Sequence, residues 1–257
     1  MKNKKILSFI CPTHRRPELQ TRLADSIYDS CYKPEYCEVV FGIDNDDEVA
    51  IATAEQLKQK YGEDFIRVCL VEPGEVLANI SNICAREVAR GQIYGNIADD
   101  FVVRTKNIDL VAIKEFQNYP DKILLLWGDC GLWGGQLASS YFVSKNWVKA
   151  LGHIQPTHFH ADWTDHWNQR LAEAVGRTRV ITDRNVMFVE HLHAEFGGME
   201  KDETYWKVKE RRERNQKEGL HFDMHNPPPE LKALHDIEVR KLKAFIEEYG
   251  KGELDGK

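Results

Sequence analysis

The feature that most constrains this chain is its first hundred residues, where short apolar runs alternate with amphipathic segments and the runs end in polar, mostly acidic clusters. Ile6–Cys11 is almost wholly apolar, the signature of a strand buried on both faces of a parallel sheet. Pro17 then opens a helix in which Leu19, Leu23 and Ile27 share a face. Glu38–Ile43 is a second strand leading into Asp44-Asn45-Asp46-Asp47. A helix with Ile51, Ala54, Leu57 and Tyr61 on one side follows and stops at Gly62. Phe65–Val71 is a third strand, residues 76–88 a third helix ended at Gly91, and Gln92–Ala98 a fourth strand running into Asp99-Asp100. Strand and helix in this rhythm predict right-handed crossovers, hence an α/β fold with an open, mostly parallel sheet flanked by helices.

The rest is more mixed. Lys122–Trp127 and Ala138–Val143 are predicted strands, separated by the glycine-rich loop 128–135. A helix is expected over Asp165–Val175 and a strand over Val186–Glu190. From about residue 202 the chain turns strongly charged, and Leu231, Leu234, Ile237, Leu242 and Phe245 predict a last amphipathic helix. The expected organisation is one domain over 1–206 and a charged helical appendage over 207–257.

Composition excludes several classes. With 35 basic and 41 acidic residues the net charge is −6, which argues against a nucleic-acid partner, because a phosphate backbone asks for a basic face. No apolar run approaches the ~20 residues of a membrane span, and a cytoplasmic location is expected. The six cysteines include no CxxC pair and fall mostly in apolar runs, so they are expected as reduced, buried thiols. Oligomeric state is not legible.

In open parallel sheets ligands bind beyond the carboxyl ends of the strands. Those positions hold Pro12-Thr13-His14-Arg15-Arg16-Pro17 after the first strand, Asp44, Asp46 and Asp47 after the second, Asp99 and Asp100 after the fourth, and Glu190, His191 and His193 after the last. Adjacent carboxylates suit a hard ion such as Mg²⁺ or Mn²⁺, and two arginines can hold phosphate oxygens. A nucleotide diphosphate carried on a metal is the natural ligand. Simpler readings stand beside this one: a turn with a helix cap at Asp44–Asp47, surface charge at Arg15 and Arg16, and packing histidines. Neither GxxxxGK[ST] nor GxGxxG occurs.

The string Phe9-Ile10-Cys11-Pro12-Thr13-His14-Arg15-Arg16-Pro17 resembles the I-P-T-x-N-R-P opening of GT-A fold, family-2-type glycosyltransferases. Asp44, Asn82 ahead of Ala89-Arg90-Gly91, and Ile97-Ala98-Asp99-Asp100 follow in that family's order, with Ile97 in place of the first aspartate of L-D-A-D-D and Arg15 in place of the usual Asn. Ala161–Trp167 resembles the segment with the catalytic carboxylate. Glu190–Gly197 followed by Asp202-Glu203-Thr204-Tyr205 resembles the ending of compact phage and bacterial glycosyltransferase-like proteins. The resemblance covers residues 5–206.

It implies a transferase that moves a sugar, with inversion at the anomeric carbon, from a nucleotide-diphosphate sugar (a UDP-sugar first among them) to a glycan or other hydroxyl acceptor. Pro12, Thr13, Arg15, Arg16, Asp44, Asp46, Asn82 and Asp99 would contact the donor. Asp99, Asp100 and His191 or His193 would hold Mn²⁺ or Mg²⁺. Asp165 would be the general base, with Asp162 as its rival, although Asp165 also suits a helix cap. Trp127, Trp133, Trp163 and Trp167 are either core residues or sugar-stacking faces. Two alternatives remain open: a zinc hydrolase built on His158-Phe159-His160-Ala161-Asp162, and a catalytically idle GT-A-like module that binds nucleotides or glycans.

Overall fold

The first apolar run folds as β1 (Leu7–Pro12), with Leu7, Phe9 and Cys11 buried toward one face of the sheet and Ile10 toward the other, as the two-residue period of a strand requires. The computed structural model describes residues 4–159, 163–217 and 227–250. Pro17 starts α1 (Pro17–Ser30), which buries Leu23, Ala24 and Ile27. β2 (Cys37–Asp44) runs parallel to β1. α2 (Glu48–Tyr61) is capped by Asp47, whose carboxylate accepts the Ala50 N–H at 3.0 Å, and is closed by Gly62 at φ +90°. β3 (Ile66–Val71) adds outside β2. α3 (Leu77–Ile83) continues through a π turn over Cys84–Val88, and β4 (Ile93–Asn96) pairs with the other side of β1.

The chain then forms β5 (Phe101–Val103), α4 (Ile108–Gln117), β6 (Leu125–Gly128), β7 (Tyr141–Ser144), α5 (Lys145–Leu151), α6 (Thr164–Ala174), β8 (Thr178–Ile181), β9 (Val189–His191), α7 (Glu203–Lys217) and α8 (Pro229–Tyr249). The main sheet has the order β3-β2-β1-β4-β7-β6-β8. It is parallel through β4, β7 is antiparallel to both neighbours, and β8 is parallel to β6. β5 and β9 make a separate antiparallel ribbon that sets His191 opposite Phe101. The expected α/β class with a mostly parallel sheet is therefore present. The fourth strand is shorter than expected, because the backbone leaves the sheet at Asn96, before the two aspartates.

Two apolar cores cover the two faces. One packs α1, α2 and α4 on the sheet; the other gathers Ile10, Val40, Tyr94, Trp147, Trp167 and Leu242. α8 is anchored in the second core by Leu242, fully buried, and by Glu238, which accepts the Trp167 indole N–H at 2.7 Å and lies 2.8 Å from His153 Nε2. All six cysteines are free thiols, and five are buried. Among the described residues no helix is long and apolar enough to cross a membrane.

Candidate active site

The carboxyl ends of β2, β1 and β4 lie side by side, so the polar residues that follow each strand meet at one edge. Thr13 is buried just past β1; its N–H bonds to the Gly42 carbonyl at 3.0 Å, and its hydroxyl donates to Asp99 Oδ2 at 2.7 Å. Arg16 Nη1 donates to the other Asp99 oxygen at 3.0 Å. Burial pushes the Asp99 carboxyl up to about 6, against the opposing pull of Arg16. Arg16 is itself clamped from the far side by Asp202, Nε to Oδ2 at 2.7 Å and Nη2 to Oδ1 at 2.8 Å. Burial disfavours this cation, yet the two carboxylates hold its pKa above the ordinary value.

Asp100 points elsewhere. Its Oδ2 lies 3.3 Å from His191 Nε2, and the His191 ring stacks on Phe101 at 4.1 Å between centroids. Burial works to raise the Asp100 pKa, but the His191 contact outweighs it and the carboxyl stays below the usual range. Asp100 Oδ1 and His191 Nδ1 are both buried without a hydrogen-bond partner. Such atoms are costly unless something else engages them. His193 packs against His191 at 5.0 Å, while its Nδ1 accepts the Glu195 N–H at 3.2 Å.

On the other flank His14 Nδ1 sits 3.3 Å from Asp44 and 3.7 Å from Asp47. Burial raises the Asp44 pKa, and His14 opposes the shift. Arg15 adopts a left-handed φ of +52°, fixed by its N–H donating to Asp47 Oδ2 at 2.6 Å, and its side chain is exposed, as is Asp46. Asp47 is thus the helix cap that the simpler reading proposed.

The structure therefore brings together Thr13, Arg16 and Asp99, with Asp100, His191 and His193 next to them. Both Asp99 oxygens are engaged by Thr13 and Arg16, whereas Asp100 faces His191. Among the described residues no three His, Cys, Asp or Glu side chains are grouped to hold a metal by themselves. Asn82 stands apart: its Oδ1 accepts the N–H groups of Ile154 and Gln155 at 2.8 and 3.0 Å, and its Nδ2 donates to the Gln155 carbonyl at 2.8 Å. It ties the 154–155 segment to α3.

Asp165 lies in the first turn of α6 without capping it. Trp163 holds the cap position, and Asp165 Oδ1 accepts the adjacent His166 N–H at 2.8 Å and lies 3.0 Å from His166 Nδ1. α6 is tied to β7 through Asn168, which donates to the Tyr141 hydroxyl at 2.8 Å; the Tyr141 backbone pairs with Asn96, the last residue of β4. His160 and Asp162 lie outside the described residues. His158 packs against Phe159 and Trp167, and burial lowers its pKa to about 4. Trp127 and Trp167 are core residues, Trp127 donating to the Gly135 carbonyl at 2.8 Å. His14, Asp202, Thr204 and Tyr205 also meet at this edge, the Thr204 hydroxyl donating to the His14 carbonyl at 3.1 Å. Asp202 also accepts the Tyr205 N–H at 2.7 Å, so its helix-capping position was the available signal.

The mostly parallel sheet flanked by helices is shared with solved glycosyltransferases, which makes the fold GT-A-like. Among solved structures the chain is similar to the mannosyltransferase PcManGT from Pyrobaculum calidifontis, solved in complex with GDP-Man and Mn²⁺, with a TM-score of 0.58 at 15% identity over 99% of this chain and 77% of that one. It is also similar to S. aureus TarS 1–349, with a TM-score of 0.57 at 15% identity over 98% and 75%. The same TarS fragment in complex with UDP-GlcNAc gives a TM-score of 0.54 at 15% identity over 98% and 76%. No family model matches the chain, and no curated protein sequence does.

Proposed function

We propose that this protein transfers a hexose from a nucleotide-diphosphate sugar to an acceptor hydroxyl with the help of Mn²⁺ or Mg²⁺, with inversion at the anomeric carbon. The observation that carries the reading is the pair of buried, unpartnered atoms, Asp100 Oδ1 and His191 Nδ1, beside the Thr13–Asp99–Arg16 network at the carboxyl edge of the sheet. The solved structures with GDP-Man and with UDP-GlcNAc share this fold and support the same class of donor.

The donor set fits the cation. An oxygen-loving ion is commonly held by one or two protein ligands, its remaining positions going to substrate phosphates and water, so Asp100 with His191 suffices without Asp99. When bound, such an ion neutralises the diphosphate as it leaves. Asp100 and His191 would hold it, and the imidazole is kept in place by stacking on Phe101. Thr13 and Arg16 hold Asp99 in one orientation at the donor side. Exposed Arg15 and Asp46, with Asp44, frame the nucleoside side, and Pro12 closes β1 beneath them. Asp165 accepts the proton of the acceptor hydroxyl as that oxygen attacks.

The test is a thermal-shift series with UDP and GDP, each with and without Mn²⁺ or Mg²⁺. A ligand that binds only the folded state raises the melting temperature, by an amount equivalent to about 2.7 kcal/mol at a hundredfold excess over Kd. The wild type should respond to a nucleotide diphosphate, and Asp100→Asn should lose the metal-dependent part. No response to either nucleotide with either metal would overturn the proposal.

A further inference from the structure

Two large aromatic side chains that core packing does not account for sit beside this site, on different loops. Trp133 is 39% exposed at the tip of the β6–β7 loop, and Phe196 is 58% exposed on the single 3₁₀ turn that follows His193. Their rings meet edge to face, 5.6 Å between centroids at 89°. Phe196 in turn lies 5.4 Å from the His193 ring, which touches His191 at 5.0 Å. A row of ring contacts thus leads from the Asp100–His191 pair out to Trp133.

Neither ring is exposed through looseness of its loop. The β6–β7 loop is pinned at Asp129, whose two oxygens accept the Gly131 N–H at 2.8 Å and Arg184 Nε at 2.6 Å. It is pinned again where Trp127 donates to the Gly135 carbonyl. Between these anchors Gly131, Gly134 and Gly135 take positive φ values that side-chain-bearing residues adopt rarely, and the Gln136 N–H closes a turn onto the Trp133 carbonyl at 2.9 Å. The 3₁₀ turn is pinned by the His193 cap and by Tyr205, whose hydroxyl donates to Glu195 at 2.9 Å. Anchored loops that carry exposed, mutually perpendicular aromatic rings mark a recognition surface.

The shape specifies a chemistry. A pyranose ring has an apolar C–H face and a rim of hydroxyls. It can stack on one aromatic face and abut the other, with the Glu195 carboxylate beside it for hydroxyl groups. We infer that Trp133 and Phe196 form a platform for a sugar ring of the acceptor, so that the acceptor is a carbohydrate rather than a peptide or lipid hydroxyl. The inference rests on reading the neighbouring site as a sugar-transfer centre.

The test uses saturation-transfer NMR on the full chain with UDP and Mn²⁺ present, probing cellotetraose, chitotetraose and mannotetraose at millimolar concentration. At least one oligosaccharide should bind. Trp133→Ala and Phe196→Ala should each weaken that binding about tenfold, and Trp133→Phe should keep most of it. Melting temperatures and circular dichroism matching the wild type confirm that the variants are folded. Binding of none of the three, binding unaffected by the double alanine variant, or selective binding of a peptide or a lipid dispersion in their place would overturn the inference. The nucleotide thermal shift on the same wild-type sample separates the two proposals. A shift without oligosaccharide binding sinks the platform alone, while platform binding without a shift sinks the donor reading and leaves a glycan-binding surface.

Discussion

Arg16 and Asp202 are joined by two parallel hydrogen bonds across 186 residues of sequence, while the remaining arm of the guanidinium holds Asp99. The sequence suggests a phosphate-binding arginine. In the structure all three nitrogens are engaged, and Arg16 is a strut between two carboxylates, one of them buried. Bidentate geometry of this kind belongs to arginine, because an ammonium cannot span both oxygens and a third partner in fixed directions.

Removing the strut should be costly. Arg16→Ala leaves Asp99 buried with only Thr13, and we expect a loss of about 3 kcal/mol in urea denaturation. Arg16→Lys should recover less than half of it. Asp202→Asn, at a more open position, should cost about 1 kcal/mol. A stable Arg16→Ala variant with lost nucleotide binding would return Arg16 to the phosphate role.

Asp165→Asn preserves shape and removes basicity. With the general-base role, turnover should fall by about 10²–10⁴-fold while the nucleotide-induced thermal shift stays at the wild-type value. Transfer at the wild-type rate would reduce Asp165 to a first-turn helix residue, and Asp162→Asn should then show the loss.

Asn82→Ala should act on stability. Two backbone N–H groups and one carbonyl lose their partners in a buried place, which we expect to cost about 3 kcal/mol by chemical denaturation. Weakened nucleotide binding at unchanged stability would instead support the donor contact expected from the sequence.

The second core should be acid-sensitive in two steps. His158 has its folded pKa lowered from near 6.5 to about 4, so the unfolded chain takes up a proton first. The stability this neutral imidazole contributes is whole above pH 6.5 and declines as pH falls toward 4. Burial alone would raise the Glu238 pKa, but His153 and Trp167 hold it below its ordinary value, so its contribution is lost at lower pH still, as the carboxylate protonates. Melting temperatures at pH 7.5 and 5.0 should differ in the wild type. His158→Phe, which keeps the packing on Trp167, should narrow that difference.

Where one physical requirement governed a segment, the sequence disclosed it. β1, β2 and β3 with α1 and α2 were legible because burial on both sheet faces leaves no choice but apolar runs, and Pro17, Asp47 and Gly62 punctuate them. β8 was not anticipated: it is an edge strand, Arg179 and Val180 are exposed, and nothing enforces an apolar pattern. The site was legible at the strand ends, where Thr13, Asp99 and Asp100 fall as the topology dictates. Orientation was not, because adjacent aspartates look alike in sequence, whereas Thr13 and Arg16 claim one and His191 the other. The role of Asp202 was hidden for a related reason, since its partner lies almost the whole chain away.

The docking of α8 has a consequence for biosynthesis. Trp167 donates to a carboxylate made 71 residues later. At ~5–20 residues per second the ribosome needs about 4 to 14 s to reach Glu238 after Trp167. During that interval the β1–β4 half, whose helices are already complete, can settle, while the indole N–H and His153 lack their acceptor. The two halves of the chain therefore complete their hydrogen bonds at different times, the half around Trp167 last.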